Sequence, residues 1–501
     1  MATGTTPENQ EVREPSLVDA LIPMAALAVT IGGALLVFGL DALDGPVQVA
    51  LVLCVFVAAL VAMRLGHTWA EVEEAAKGSL ASVTSAIFIL LSVGALIGVW
   101  NLTGTIPTLV YYGIELLSPS VYYAAAAVVC GVVAMSIGSS WTTAGTVGVG
   151  LVGIAHALGV SPEITAGAVI SGAYLGDKLS PLSETTVLAS QLVGVDTHRH
   201  IRQQAWTSVP AFGIALLGFL VIGLVRGDDA TSPVPTDIEL RAIGDVFHVT
   251  PLNLVPLALL VWLSIRKVPA PLALLAATLF AGALGAVLQP DVVRDFVDPG
   301  HTGDGPLAAL GRSVEAVWQA MATGFRMDSG VPVVDRLVSR GGMASMLSTV
   351  WLIIGAVTFG AILERFGLIA RLVDPLIAAA TTTGRLFATV LACAFGLNLV
   401  AGDQYIALVL PTKVFRVEFG RRGLAPTNLS RLAADCGTVT SPLVPWNSCG
   451  AFMAAVLSVP TLKYLPFAFF CLASPVLSVL YGITGFRIER ETVPEPTGAA
   501  A

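Results

Sequence analysis

Long apolar runs alternate with short polar interruptions along this chain, and the length of the runs predicts the elements. Ser16 to Leu40, Ser85 to Trp100 and Ala205 to Val225 carry almost no charge. Each, with its flanks, is long enough to cross a hydrocarbon layer of ~30 Å as a helix. Runs of this kind recur, and roughly ten to fourteen segments meet the same length criterion. Helices are predicted throughout, because a segment in lipid must satisfy its own backbone polar groups and the alternating dyads of a barrel are absent. The expected fold class is an all-α polytopic membrane protein.

The pattern also repeats. Gly78 to Ile114 laid over Gly341 to Ile377 matches without a gap at Gly78/Gly341, Ser85/Ser348, Gly104/Gly367, Ile106/Ile369 and Val110/Val373, among others. Further on, GSSWTTAGT from Gly138 faces GDQYIALVL from Gly402, and SPL at Ser180 to Leu182 meets SPL at Ser441 to Leu443. Both copies end in a polar, proline-containing break. Duplicated halves with polar breaks at matching places are the mark of a secondary transporter, whose site lies where broken helices free backbone groups. The expected organisation is a polar tail over residues 1–16, a first transmembrane half over 17–226 and a linker over 227–250. A second half over 251–485 follows, with a long loop at about 289–340 that holds an interfacial helix, and then a tail over 486–501.

Composition sharpens this picture. Only 12% of residues are charged and 55% are hydrophobic, far from the roughly 25% charged residues of soluble domains. The N-terminal tail is polar and acidic, unlike the basic start of a cleaved signal peptide. The six cysteines lie in or beside apolar segments without a CxxC pair, which argues against disulfides and zinc. Arg64 and Lys77 flank the second interhelical turn, whereas the first, DALDGP, has no base. Basic residues favour the cytoplasmic side, so the N-terminus and that second turn are expected there. The lipid bilayer is the expected surrounding; nucleic acid is not an expected partner, and a homodimer is left open.

Against this background the charges in GDKLSPLSETT, Gly176 to Thr186, stand out. An ionisable group inside a bilayer costs at least ~2.5–3.5 kcal/mol, so each is a functional candidate. Asp177, Glu184, Asp403 and Asp435 qualify, and around them lie Ser140, Thr142, Ser180, Ser183, Thr185, Thr438, Ser441 and Asn447. Carboxylate, hydroxyl and amide oxygens suit a hard cation such as Na⁺, and Asp177, Asp403 and Asp435 are its expected ligands. A buried carboxylate holds either a proton or a cation, and that competition alone gives exchange, with no separate proton path required. Asp435 has a second role open to it, pairing with Arg431 one turn earlier. Lys178 and Arg431 are candidate coupling groups or counter-charges, Glu184 lies nearer a polar loop, and His156 reads as a packing residue. An intramembrane aspartyl protease is the remote alternative, since GD occurs at Gly176 and Gly402; but Tyr174 and Val400 stand where GxGD requires glycine. No GxxxxGK[ST] phosphate loop is present, which excludes an ATP-driven pump of that type.

At GSSWTTAGT, AGAVISGAYLGDKLSPLSETT, AGDQYIALVLP and LSRLAADCGTVTSPLVPWNSCGAFMAAVL, with the early SLVDALIPM, the chain resembles the NhaC-type sodium/proton antiporters of the ion-transporter superfamily. The resemblance implies an inverted-repeat bundle with two hairpin-like re-entrant regions in a prokaryotic cytoplasmic membrane. It implies Na⁺ for H⁺ exchange by alternating access, with no cofactor beyond the transported ions. A departure is Glu184 where the family pattern SPLSDTT has Asp. The family also includes exchangers of organic acids such as malate and lactate and carriers of other small metabolites, and Na⁺- or H⁺-coupled antiport of such a molecule is the alternative reading of function.

Overall fold

The computed structural model describes residues 12–226, 236–298, 305–328, 330, 334–335 and 338–491. Its described elements are helices. Seven are long and apolar enough to cross a membrane, or eight if the bent pair Ser448–Leu457 and Thr461–Phe467 forms one span, and three shorter apolar helices join them. The first helices start where sequence chemistry places a start. Ser16 and Asp19 form one capping box and Thr68 and Glu71 another, each closing N–H groups that a first turn leaves open.

The duplication is visible in the order of elements. Trp69–Leu102 is followed by Gly104 and the helix Thr105–Leu116, and Leu347–Arg365 is followed by Gly367 and Leu368–Ala379. Both glycines are left-handed, with φ 75° and 73°, a conformation that favours glycine because a Cβ would be strained there. Next come Tyr122–Ile137 and Thr383–Val400, which end at Gly138 and Gly402 with φ 79° and 63°. An extended N-cap residue follows each, Ser139 and Asp403, and starts a new helix. Each half also holds a π-helical bulge, Ala144–Gly148 and Ala434–Thr438, at places that do not match.

The two series run in opposite directions. A Cβ on Gly172 would meet Ala127, and one on Gly176 would meet Gly131 and Ala134, so Pro162–Leu179 runs parallel to Tyr122–Ile137. That pair starts at the end of the molecule where Gly223 meets Ser120 and Gly218 meets Phe469. Thr383–Val400, the counterpart of Tyr122–Ile137, starts at the other end, where Gly384 meets Ile483. Leu347–Arg365 likewise opposes Trp69–Leu102, since Gly94 lies against Gly342 and Met346. The halves also exchange partners: Pro46–Arg64 packs on Leu347–Arg365, and Ala270–Leu288 packs on Trp69–Leu102.

Several expectations need correction. The stretch GDKLSPLSETT, expected as a non-helical break throughout, is broken only from Ser180 to Ser183; Asp177 and Lys178 belong to the last turn of the helix Pro162–Leu179, which close packing on Tyr122–Ile137 holds. The stretch expected as a linker holds the helix Thr236–Val246, with residues 227–235 outside the described ones. The expected loop from residue 289 holds Pro290–Val297 as well as the expected helix, which runs Pro306–Thr323, sets Ala320 against Gly98 and leaves Leu307, Leu310, Val314 and Trp318 exposed. The six cysteines are free and buried.

Candidate functional site

Asp177 lies at the meeting of the two breaks of the first half, where Gly138 touches Leu182. Ser140, on the first turn after the Gly138 break, donates to Asp177 Oδ2 at 2.8 Å. Ser183, the N-cap of Glu184–Val193, donates to Oδ1, and Thr185 reaches the same atom at 3.5 Å. Thr186 fixes the helix end by donating to the Asp177 carbonyl at 3.0 Å. Asp177 is 5% exposed, and among the described residues no Lys, Arg or His forms an ion pair with it. A buried carboxylate held only by hydroxyls is costly until it gains a proton or a cation. The same hydroxyl oxygens that donate to it can turn their lone pairs to a cation.

Asp403 stands in the second half where Ser139 stands in the first, as the N-cap after a left-handed glycine. Its Oδ1 accepts the N–H groups of Tyr405 (2.8 Å) and Ile406 (3.2 Å), capping the helix Gln404–Arg421. A cavity of about 1670 Å³ joins the two centres, lined by Ser140, Thr142, Asp177, Glu184, Thr185 and Asp403. It extends to Glu74, Lys77, Lys267 and Arg365 at helix ends. Glu184 stands on its wall and accepts from the Tyr405 hydroxyl at 3.0 Å, so one hydrogen bond links the halves across the opening. Thr142 donates to Ser139 at 3.1 Å, and Trp141 stacks on Phe452 with centroids 4.1 Å apart, sealing the inner wall.

The remaining candidates lie elsewhere. Among the described residues no three His, Cys, Asp or Glu side chains could hold a metal ion together, so Asp177, Asp403 and Asp435 do not share one centre. Asp435 sits in the second bulge, fully buried, and pairs with Lys178. It also accepts from Ser474 (2.7 Å), Ser478 and Gln204 (2.9 Å). The expected Arg431–Asp435 pair is not what forms. Arg431 donates to the Arg487 carbonyl at 3.2 Å and lies 5.9 Å from the Tyr481 ring centroid, because the π bulge widens the turn between the two residues.

Four more sequence candidates shape the breaks. Ser180 donates to the Met135 carbonyl at 2.8 Å, and Ser441 to that of Thr438 at 2.7 Å. Asn447 caps Ser448–Leu457 through Cys449 and donates to Asn398 Oδ1 at 3.0 Å. Thr438 Oγ1 is buried without a partner. Reasoning from sequence missed Tyr405, Gln204, Ser474 and Ser478. The last two, four residues apart in the apolar helix Phe469–Thr484, were a readable signal for a buried polar partner.

Comparison with known proteins decides the family. The model of the Na⁺/H⁺ antiporter family matches residues 7–227, 172–297 and 307–486. The chain belongs to the Na⁺/H⁺ antiporter family. It is 36% identical over 444 residues to the Na⁺/H⁺ antiporter NhaC of Alkalihalophilus pseudofirmus, covering 89% of this chain and 91% of that one. It is 33% identical to the malate-2H⁺/Na⁺-lactate antiporter of Bacillus subtilis, covering 95% and 96%. It is equally 33% identical to the arginine/ornithine antiporter ArcD of Halobacterium salinarum, covering 98% and 97%. The hydroxyl-lined carboxylate and the paired broken helices are therefore parts of a family of antiporters.

Proposed function

We propose that this protein is a secondary transporter of a prokaryotic cytoplasmic membrane that exchanges Na⁺ for H⁺, with Asp177 holding one or the other. The observation that carries this reading is the Asp177 carboxylate, buried, free of any basic partner among the described residues, and surrounded by the hydroxyls of Ser140, Ser183 and Thr185. Asp403 and Glu184 on the same cavity add negative field that concentrates cations there. The basic groups Lys77, Lys267 and Arg365 line the same cavity together with Glu74 and Glu364, and the positive-inside bias supports a cytoplasmic opening at that end. The cavity is then the inward-facing access path, and exchange follows from relative movement of the two inverted halves around the site.

Transport of an organic acid is disfavoured because Lys178, the base beside Asp177, is turned to Asp435. An organic cation is the second reading, favoured by the volume of this acid-lined cavity. Purified protein in vesicles under an imposed pH gradient separates them when challenged in turn with Na⁺, Li⁺, K⁺, malate, lactate and arginine. Proton flux evoked by Na⁺ supports the proposal; flux evoked by arginine or malate and not by Na⁺ overturns it.

A further inference from the structure

The Lys178–Asp435 pair is a buried charge cluster that this reading leaves unused. It bridges the halves, Lys178 from the first and Asp435 from the second, and both side chains are at most 1% exposed. Lys178 also donates to Ser474 at 2.9 Å and lies 5.2 Å from the Phe470 ring centroid. Around the pair stand His200 and Gln204 on one helix, Arg431 and Cys436 beside Asp435 in sequence, and Cys471 on the helix Phe469–Thr484.

The second observation is a trail of buried polar atoms without partners, which leads from the surface to this pair. His200 Nδ1 meets Ser430 at 2.9 Å, but its Nε2 has none. Gln204, one turn further on the same face, donates to Asp435 and leaves its Oε1 unmatched. Across from them, Arg431 Nε and Nη2 are unmatched too. His200, Gln204 and Arg431 are each 0% exposed. The trail starts beside the C-terminal segment, where Gln203 and Arg431 both bind the Arg487 carbonyl and Arg199 pairs with Glu489 at 3.1 Å. Buried polar groups find partners with few exceptions, and ordered water satisfies those that have none when two to four polar atoms converge.

We infer that His200, Gln204 and Arg431 line a hydrated file that carries protons from the face bearing Arg199 and Arg487 to the Lys178–Asp435 pair, separate from the cavity that admits the cation to Asp177. A proton arriving along the file adds to the Asp435 carboxylate, and the Lys178 ammonium loses its counter-charge. That ammonium is one residue from Asp177, so an unpaired positive charge there disfavours a second cation on Asp177 and favours its release. The file thereby adds a proton-driven release step to the competition at Asp177, and the inference rests on the proposed exchange.

Two fluxes in vesicles test it: Na⁺-driven proton movement, and exchange of labelled Na⁺ against unlabelled Na⁺, which needs no net proton. Gln204→Met and His200→Phe replace the file's polar atoms by apolar ones of similar size, and His200→Gln restores a donor and an acceptor. The expected result is a fall of tenfold or more in proton flux for Gln204→Met and His200→Phe, Na⁺/Na⁺ exchange within twofold of wild type, and recovery in His200→Gln. Equal loss of both fluxes, or unchanged proton flux, overturns the file. A wild type without Na⁺-driven proton movement would instead overturn the proposed exchange itself, so the two failures are distinguishable.

Discussion

Replacing Lys178 by Met keeps the length and apolar stem of the side chain and strands the Asp435 carboxylate in the interior. Removing one partner of a buried ion pair costs about 3–5 kcal/mol. The low end applies here, because Ser474, Ser478 and Gln204 still donate to Asp435, and each hydrogen bond to a charged acceptor contributes about 1.5–3 kcal/mol. A loss near 3 kcal/mol is therefore expected. Asp435→Asn in the same background removes the stranded charge while its amide oxygen still accepts from the serines, so Lys178→Met/Asp435→Asn should recover at least half of the loss. Unfolding in detergent followed by tryptophan fluorescence orders the three proteins. A double variant no more stable than Lys178→Met would refute the reasoning, as would a single variant as stable as wild type.

Three further outcomes follow from the geometry. Ser183→Ala removes a hydroxyl from Asp177, and the loss of one such contact, about 1.5–3 kcal/mol, should raise the half-saturating Na⁺ concentration roughly 10- to 150-fold in flux titrations. Glu184→Gln keeps an oxygen for the Tyr405 hydroxyl, so exchange should stay within about threefold of wild type, the effect of an exposed and screened charge. Gly172→Ala would place a Cβ 2.1 Å from the Ala127 carbonyl oxygen; separating those helices shifts Asp177, and transport should fall at least tenfold although the protein inserts, as seen by flux measured per reconstituted molecule.

The fold was largely legible because its marks are local. Apolar runs gave the spans, and the matched pairs Gly104/Gly367 and Gly138/Gly402 marked turns whose positive φ favours glycine. Asp177 among hydroxyls was legible for the same reason, since Ser183 and Thr185 lie within eight residues of it. Lys178–Asp435 was not, because 257 residues separate the partners and a helical i,i+4 rule pointed to Arg431 instead. The π bulge that defeats that rule, Ala434–Thr438, has no proline to mark it. The helix Thr236–Val246 was hidden by polar composition, since it has no apolar run long enough to span, whereas the amphipathic helix Pro306–Thr323 was legible.

Asp403→Asn offers a control for the central carboxylate. Asn caps a helix about as well as Asp, so the N–H groups of Tyr405 and Ile406 stay satisfied while the charge is lost, and any fall in transport reports charge rather than misfolding. The most direct measurement is Na⁺-driven proton flux in vesicles for Asp177→Asn beside wild type across a range of pH. The account predicts no Na⁺-dependent flux from Asp177→Asn at any pH, and a wild-type half-saturating Na⁺ concentration that rises as pH falls, because protons compete for the same carboxylate. Exchange by Asp177→Asn at the wild-type rate, with Na⁺ dependence indifferent to pH, would contradict it.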